Sequence, residues 1–152
     1  MIKLISGVWG SFLAPMLGRP KHLQMAALCY RGTGDSKEVL LVTSRGTGRW
    51  IIPKGWPIRG LNSPEVALRE AWEEAGVLKG KSDAQPVGTY TYDKQLDSGV
   101  ALPVETLVYP VSVEAMRDNF PESHERKRMW VRLSDAANMI HEPELKTILR
   151  HF

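Results

Sequence analysis

The stretch from Ser63 to Gly76 constrains the fold more than any other part of this sequence, because it contains the start, the stop and the periodicity of one helix. Ser63 is a good N-cap residue, Pro64 suits the first helical position, and Gly76 is a natural C-terminal stop. Apolar residues recur at helical spacing along one side, at Leu68, Ala71, Trp72 and Ala75. The sequence therefore predicts an amphipathic helix over residues 63–75.

The opposite side of this helix carries three glutamates, Glu70, Glu73 and Glu74, on one arc. Glu70 and Glu74 are four residues apart, and like charges at this spacing destabilise a helix by roughly 0.2–0.5 kcal/mol. Arg69 precedes Glu73 by four residues and relieves only part of this repulsion. Two interpretations stay open: a solvated acidic face, or a site for a hard divalent cation such as Mg²⁺, which prefers carboxylate oxygens.

The loop just before the helix favours the cation site. Residues 53–60 are rich in glycine and proline, and they include two cations, Lys54 and Arg59, that would face a phosphate. Gly55 allows backbone conformations that are closed to other residues. A main-chain carbonyl of this loop would give a metal ion one more oxygen ligand.

Short β-compatible segments surround the helix, and further helical segments end the chain. The predicted strands are residues 24–30, 38–43, 49–52, 87–92, 102–113 and 128–133. Ser134 is predicted to cap a short helical piece, and residues 142–151 are predicted to form a terminal helix. This order of elements indicates a mixed α/β layered domain.

The composition is that of one soluble globular domain. The chain has 152 residues, of which 43% are hydrophobic and 24% are charged, so it is long enough to bury a core without covalent crosslinks. A single cysteine, Cys29, excludes an internal disulfide and a zinc site built from several cysteines. The formal net charge of +3 suits anionic ligands but is too small to indicate a nucleic-acid-binding protein.

The N-terminal segment differs from the rest of the chain. Residues 2–17 are fairly apolar, but glycines, serines and Pro15 interrupt them, so they fit neither a secretory signal nor a membrane span. We expect residues 1–23 to cover the domain formed by residues 24–152, or to pair with a second copy in a homodimer. The lack of another targeting signal predicts a cytoplasmic protein without membrane partners.

The loop and helix together carry a recognisable motif. Residues 55–77 read GWPIRGLNSPEVALREAWEEAGV, which resembles the Nudix box G-x5-E-x7-R-E-U-x-E-E-x-G-U, where U is a bulky aliphatic residue. The matching positions are Gly55, Arg69, Glu70, Glu73, Glu74, Gly76 and Val77. There are two departures, because the first glutamate of the box falls on Leu61 and Ala71 stands at an aliphatic position that is usually larger. Glu65 lies one helical turn after Leu61 and is a candidate spatial substitute.

The resemblance implies a Nudix-type α/β/α sandwich, with a central mixed β-sheet and the helix 63–75 beside it. It also implies hydrolysis of a pyrophosphate bond in a nucleoside diphosphate linked to a group X, or in a related small molecule, with Mg²⁺ or Mn²⁺. Because bridging cations neutralise phosphate oxygens and activate water, such an enzyme needs a cluster of carboxylates.

The resemblance further implies roles for particular residues. The metal ligands would be Glu70, Glu73 and Glu74, and Glu70 would also position or deprotonate the water. Arg69 would orient the glutamates through ion pairs. The main-chain carbonyl of Lys54, next to Gly55, would complete the metal shell. Glutamates outside the box are alternative bases in some members of the family, and here these are Glu122 and Glu125.

Two flanking segments resemble the diphosphoinositol polyphosphate and diadenosine polyphosphate hydrolases. They are LLVTSRGTGRWIIPKGW (residues 40–56) and ERKRMWVRLSDA (residues 125–136). By this resemblance, Arg45 matches a position that contacts phosphate, and the Lys54 side chain adds a cation beside Gly55. The basic run of residues 126–128 is either part of the substrate site or a solvated surface.

Two other functions stay open at this point. Leu61 keeps open a catalytically silent Nudix-fold module that only binds a nucleotide. The positive charge and the basic runs allow an RNA 5′-end pyrophosphohydrolase, although nucleic acid is the less favoured partner.

Overall fold

The computed structural model describes residues 22–152. The predicted covering segment, residues 1–23, lies outside the described residues except for His22 and Leu23, which begin the first strand. Within residues 22–152, no helix has the length and apolar character that a membrane crossing requires.

Three α-helices, one 3₁₀ helix (Gly34–Ser36) and eight strands occur between residues 22 and 152. The helices are α1 (Ser63–Ala75), α2 (Leu133–Met139) and α3 (Pro143–His151). The strands are β1 (His22–Arg31), β2 (Glu38–Thr43), β3 (Trp50–Ile51), β4 (Lys54–Gly55), β5 (Val77–Ser82), β6 (Gly88–Gln95), β7 (Ala101–Met116) and β8 (Arg128–Arg132). The helix predicted over residues 63–75 is confirmed.

These strands form one mixed sheet with β1 near its centre. The main order is β3-β2-β1-β7-β5, and β6 joins β7 while β8 joins β2. β1 runs parallel to β7, whereas the other pairs are antiparallel. On its other edge β1 has two partners, since Met25 and Ala26 pair with β4 while Tyr30 and Arg31 pair with β2. The chain between β2 and β4 therefore loops out along one edge of β1.

The helices cover both faces of the sheet. Alternate residues of β1 serve different cores: Met25, Ala27 and Cys29 pack with α1, whereas Ala26 and Leu28 pack with α2 and α3. Cys29 is a buried core residue, as expected, and its burial raises the pKa of the thiol to about 12. The predicted α/β/α sandwich with a central mixed sheet is confirmed.

The start of α1 differs from the prediction. Asn62, not Ser63, is the N-cap, because its side chain accepts a hydrogen bond from the Glu65 main-chain N–H at 2.9 Å. The Glu65 carboxylate in turn accepts from the Asn62 N–H at 2.8 Å, which completes a capping box. Glu65 therefore caps the helix, and its role as a spatial substitute for the first glutamate of the motif stays a prediction. Gly76 ends the helix at φ 74°, as predicted.

The buried face of α1 is also rotated from the predicted apolar stripe. Leu68 and Trp72 are only half-buried, and the helix meets the sheet through fully buried Ala67, Ala71 and Ala75. These small side chains let the helix lie close to the strands. At about 100° per residue, the buried arc then reaches Glu70 and Glu74, which the stripe of larger residues had placed on the far side.

Two strands were not predicted, and one cap is misplaced. β5 was missed because Lys79 and Lys81 interrupt its apolar pattern, and most of the strand is not buried. β4 lies in the segment predicted as a loop, because a strand of two residues is too short to show a strand pattern in the sequence. Ser134 lies inside α2, whose N-cap is Arg132 without a capping side chain.

Candidate functional site

A cleft of about 590 Å³ lies where the partners of β1 diverge. Its walls come from the turn after β2, from β4 with the loop that follows it, from α1, from β6 and from the loop before β8. Of the residues predicted from the sequence, Arg45, Lys54, Gly55, Glu70 and Glu74 line this cleft. Arg69 and Glu73 do not.

Glu70 lies directly against Gly55. A Cβ atom built at position 55 would collide with the carboxyl group of Glu70, and its distance to the Cγ atom would be 2.8 Å. The backbone of Gly55 does not have a positive φ. The glycine is therefore required here for close approach of a carboxylate, and not for the unusual backbone conformation expected from the sequence.

Glu74 is 7% exposed and has two partners at the cleft floor. Its Oε1 atom accepts a hydrogen bond from the Lys54 main-chain N–H at 3.3 Å, and its Oε2 atom lies 3.3 Å from Nη2 of Arg126. Burial raises the pKa of Glu74, although the nearby charges of Arg126 and Lys54 oppose that shift. The carboxylate is held in place rather than solvated.

The two carboxylates repel one another electrostatically. The pKa of Glu70 rises to about 8, mainly because burial disfavours its charged form, and then because Glu74 and Glu73 are nearby. The interpretation of a solvated acidic face is therefore wrong for Glu70 and Glu74. In a cleft, two such carboxylates favour a bound cation or a shared proton.

Glu73 contributes through its main chain in this structure. Its side chain is half-buried outside the cleft, while its carbonyl accepts a hydrogen bond from the Glu122 N–H at 3.0 Å. This bond ties α1 to the loop before β8 and brings Glu122 to the cleft. Between residues 22 and 152, no group of three acidic, histidine or cysteine side chains is arranged to hold a metal ion.

Arg126 is the central cation of the site, whereas the sequence left its basic run open as either part of the substrate site or a solvated surface. Its side chain is 6% exposed and pairs with Glu74. The Nε atom donates a hydrogen bond to Glu122 at 2.8 Å, and the Nη1 atom donates one to the Thr43 carbonyl at 2.9 Å. In the sequence, its only signal is its place in a basic run, and the fold places the three residues of that run in different surroundings. Lys127 is exposed, and Arg128 bonds the Ala75 carbonyl outside the cleft.

Arg69 lies on the exposed side of α1, outside the cleft that Glu70 and Glu74 line. It lines a separate shallow groove together with Leu61 and Trp72. Its side chain forms no ion pair with any residue from 22 to 152, so the predicted ion pairs with the motif glutamates are wrong. Leu61, at the position of the first glutamate of the motif, offers Arg69 no carboxylate partner.

Arg45 stands at the mouth of the cleft with 58% of its side chain exposed. Nη1 donates to Glu125 at 2.9 Å, and Nε lies 3.8 Å from Glu122. Of the two glutamates considered as alternative bases, Glu122 lines the cleft and Glu125 does not.

The Lys54 side chain lies on the other side of β4 from Glu70. Its Nζ atom is 4.9 Å from the centre of the Tyr92 ring, and burial lowers its pKa to about 8 although Glu74 and Glu142 favour the charged form. Tyr92 donates a hydrogen bond to the side-chain oxygen of Gln24 at 2.6 Å. Gln24 was missed, although it is a lone polar residue in the apolar run of β1.

Comparisons with known proteins agree on one family. A family model described as NUDIX domain matches residues 21–152. Human diphosphoinositol polyphosphate phosphohydrolase 3-beta is 31% identical over 126 residues, which cover 78% of this chain and 70% of the human protein. Nudix hydrolase 21, chloroplastic, from Arabidopsis thaliana is 31% identical over 121 residues, which cover 78% of this chain and 58% of the Arabidopsis protein.

Solved structures show the same fold. A binary complex of C. elegans Ap4A hydrolase has a TM-score of 0.61 and 23% identity, and the match covers 85% of this chain and 93% of that chain. The E. coli dihydroneopterin triphosphate pyrophosphohydrolase has a TM-score of 0.63 and 18% identity, and the match covers 88% of this chain and 97% of that chain. Relatives named as chloroplastic and as mitochondrial are among the matches, so the cytoplasmic location stays a prediction.

Proposed function

This chain belongs to the NUDIX family and is a pyrophosphohydrolase of that family, and we propose that it works with a divalent cation, Mg²⁺ or Mn²⁺, held at Glu70 and Glu74. The observation that carries this proposal is the pair of mutually repelling carboxylates in the cleft, one of which is packed against Gly55. A cation between them would remove the repulsion that raises the pKa of Glu70.

The donor set fits such a cation. Mg²⁺ is commonly bound through one or two carboxylates while it keeps several waters, and Glu70 and Glu74 meet that need. Glu122 is the third carboxylate at the cleft, and the Lys54 carbonyl and Glu73 join the set on the resemblance alone. A bound cation would neutralise phosphate oxygens and lower the pKa of a water molecule.

Glu70, Arg126 and Arg69 have the other proposed roles in the reaction. Glu70 is the proposed residue that positions and deprotonates the attacking water, because its carboxyl group lies in the cleft against Gly55, beside the proposed cation. Arg126 holds Glu74 and Glu122 in fixed orientations and lowers the cost of their burial. Arg69 is proposed as a catalytic residue only from its place in the motif.

The cations of the cleft suit a polyphosphate substrate. Arg45 stands at the mouth with an exposed side chain, and Lys54 and Lys94 also line the cleft. We propose a diphosphoinositol polyphosphate or a dinucleoside polyphosphate as the substrate class. The support is that the human relative is named for the first class and one structural neighbour for the second.

A phosphate-release assay with a panel of substrates tests the proposal. The panel contains diphosphoinositol polyphosphates, dinucleoside polyphosphates, nucleotide sugars and modified nucleoside triphosphates, each with Mg²⁺ and with EDTA. We expect turnover only with metal, and Glu70→Gln or Glu74→Gln should lower kcat by about a hundredfold or more. Glu114→Gln is the matched control, because Glu114 is a carboxylate on β7 outside the cleft.

The same assay separates the alternatives. Binding of a nucleotide by calorimetry without turnover of any substrate would favour the silent module. Turnover of 5′-triphosphorylated RNA, with an affinity that falls steeply with salt, would favour the RNA pyrophosphohydrolase. Full activity in EDTA, or in both glutamine variants, would contradict the proposed metal site.

A further inference from the structure

Glu142 is a buried carboxylate that lies outside the cleft, directly before α3. It is 9% exposed and is not among the residues that line the cleft. Although Glu142 is the N-cap residue of α3, its side chain makes no capping hydrogen bond to that helix. A buried charge is unfavourable unless an opposite charge compensates it, so the partner of this carboxylate indicates its role.

Arg49 forms an ion pair with Glu142. The Oε2 atom of Glu142 lies 3.5 Å from Nη1 of Arg49, and the Arg49 side chain is 37% exposed whereas that of Glu142 is 10% exposed. Unlike Glu142, Arg49 lines the cleft. The pair therefore connects the start of α3, on one face of the sheet, to a cation in the wall of the cleft.

Thr47 holds the same guanidinium group at a second point. Its hydroxyl oxygen accepts a hydrogen bond from Nε of Arg49 at 3.3 Å. A guanidinium group is planar and carries several N–H donors in a rigid arrangement, so contacts at Nε and Nη1 fix the plane of the group. The other donors stay available for a ligand in the cleft, and planar paired donors match the oxygens of a phosphate.

We propose that Glu142 is a positioning residue, which orients the Arg49 guanidinium group so that its other N–H groups bind phosphate oxygens of the substrate. This inference rests on the proposed function, since the ligand of Arg49 is the polyphosphate chain. The direction of the effect separates positioning from charge alone. As a mere negative charge, Glu142 would repel a polyanion, so its removal would strengthen binding, whereas loss of a positioning residue weakens binding.

Two substitutions of Glu142 test this role in steady-state kinetics with Mg²⁺ and whichever polyphosphate the wild type hydrolyses. Glu142→Gln keeps the size and removes the charge, and we expect KM to rise about fivefold while kcat stays within about twofold. Glu142→Asp keeps the charge but withdraws it from Arg49, so KM should rise here too. A purely structural role would lower kcat through loss of active enzyme and leave KM unchanged.

Glu144→Gln is the matched control on the same helix. Glu144 lies in the first turn of α3, and its exposed carboxylate accepts a hydrogen bond from the Thr91 main-chain N–H at 2.6 Å. The substitution removes one negative charge from the same end of the helix without affecting a cation of the cleft. We therefore expect its KM to stay within about twofold of the wild-type value.

A double-mutant cycle establishes whether Glu142 acts through Arg49. Arg49→Met should raise KM about tenfold, because it removes the phosphate contact. In that variant, adding Glu142→Gln should change KM by less than about twofold, since the group that Glu142 orients is gone. Thermal unfolding establishes that each variant is folded. A lower or unchanged KM in Glu142→Gln, or the same rise with and without Arg49, would overturn the proposal.

Failure of the proposed function gives a different result. If the wild-type protein hydrolyses no polyphosphate, the proposed function fails, and calorimetric titration with diadenosine tetraphosphate and Mg²⁺ tests Glu142 through Kd. A Kd about fivefold higher in Glu142→Gln, with no such rise in the Arg49→Met background, would support the positioning role. An unchanged or lower Kd, or no binding by the wild type, would overturn it.

Discussion

The carboxyl group of Glu70 occupies the space that a side chain at position 55 would fill, so Gly55 and Glu70 pack as one unit. β4 supplies the glycine and α1 supplies the glutamate, and the two are 15 residues apart in the sequence. The spacing within the motif thus has a packing reason, since the glycine lets a carboxylate lie against the sheet.

Gly55→Ala should displace Glu70 and lower kcat by about a hundredfold, because a shift of about 1 Å at a reacting group has an effect of that size. The free energy of unfolding should fall by less than about 1 kcal/mol, because the atoms that the new methyl group meets belong to the flexible Glu70 side chain, which can move aside. Gly46→Ala is the control for stability, since a Cβ atom there meets open space. Urea unfolding and initial rates measure the two effects, and a fully active Gly55→Ala enzyme would contradict this packing.

Glu70→Gln should stabilise the metal-free protein and abolish its response to Mg²⁺. The substitution removes the repulsion among Glu70, Glu74 and Glu73, so the melting temperature without metal should rise at pH 8. At Mg²⁺ a hundred times its Kd, the wild type should gain about 2.7 kcal/mol of stability, while the variant gains little. Thermal unfolding with EDTA and with Mg²⁺ gives both values, and equal gains in the two proteins would exclude Glu70 as a ligand.

The affinity for Mg²⁺ should rise with pH up to about 8. In the folded protein the pKa of Glu70 is about 8 instead of 4.5, and the cation must displace that proton. By the same linkage, the contribution of Glu70 to metal-free stability is full below about pH 4.5 and is lost as the pH rises to about 8. Calorimetric titrations with Mg²⁺ between pH 5.5 and pH 8.5 measure the effect, and a flat profile would contradict it.

Arg126→Met should lower the free energy of unfolding by about 3 kcal/mol, because it leaves the largely buried Glu74 and Glu122 without their cation. Lys127→Met is the matched control at the next position, and as an exposed side chain it should change stability by less than about 0.5 kcal/mol. Urea midpoints compare the two variants. Similar midpoints would mean that Arg126 does not support the carboxylates.

The sequence predicted α1 and most strands because capping residues and apolar runs are local signals. It did not predict that Ala67 joins Ala71 and Ala75 at the sheet, because the larger Leu68 and Trp72 dominate the apolar pattern while small residues permit the closer contact. The motif indicated Glu70, Glu74 and Gly55 at the cleft. It left the role of Arg126 open and did not indicate Gln24, since their positions depend on contacts with Thr43 and Tyr92 from distant parts of the chain.

The alanine-lined contact of α1 makes the reaction centre sensitive to residues that never meet a substrate. A bulkier side chain at Ala67, Ala71 or Ala75 would push the helix away from the strands, and Glu70 would move away from Gly55. The position of the proposed catalytic Glu70 thus depends on close packing beneath α1, so substitutions that fill this interface to raise stability would lower the rate.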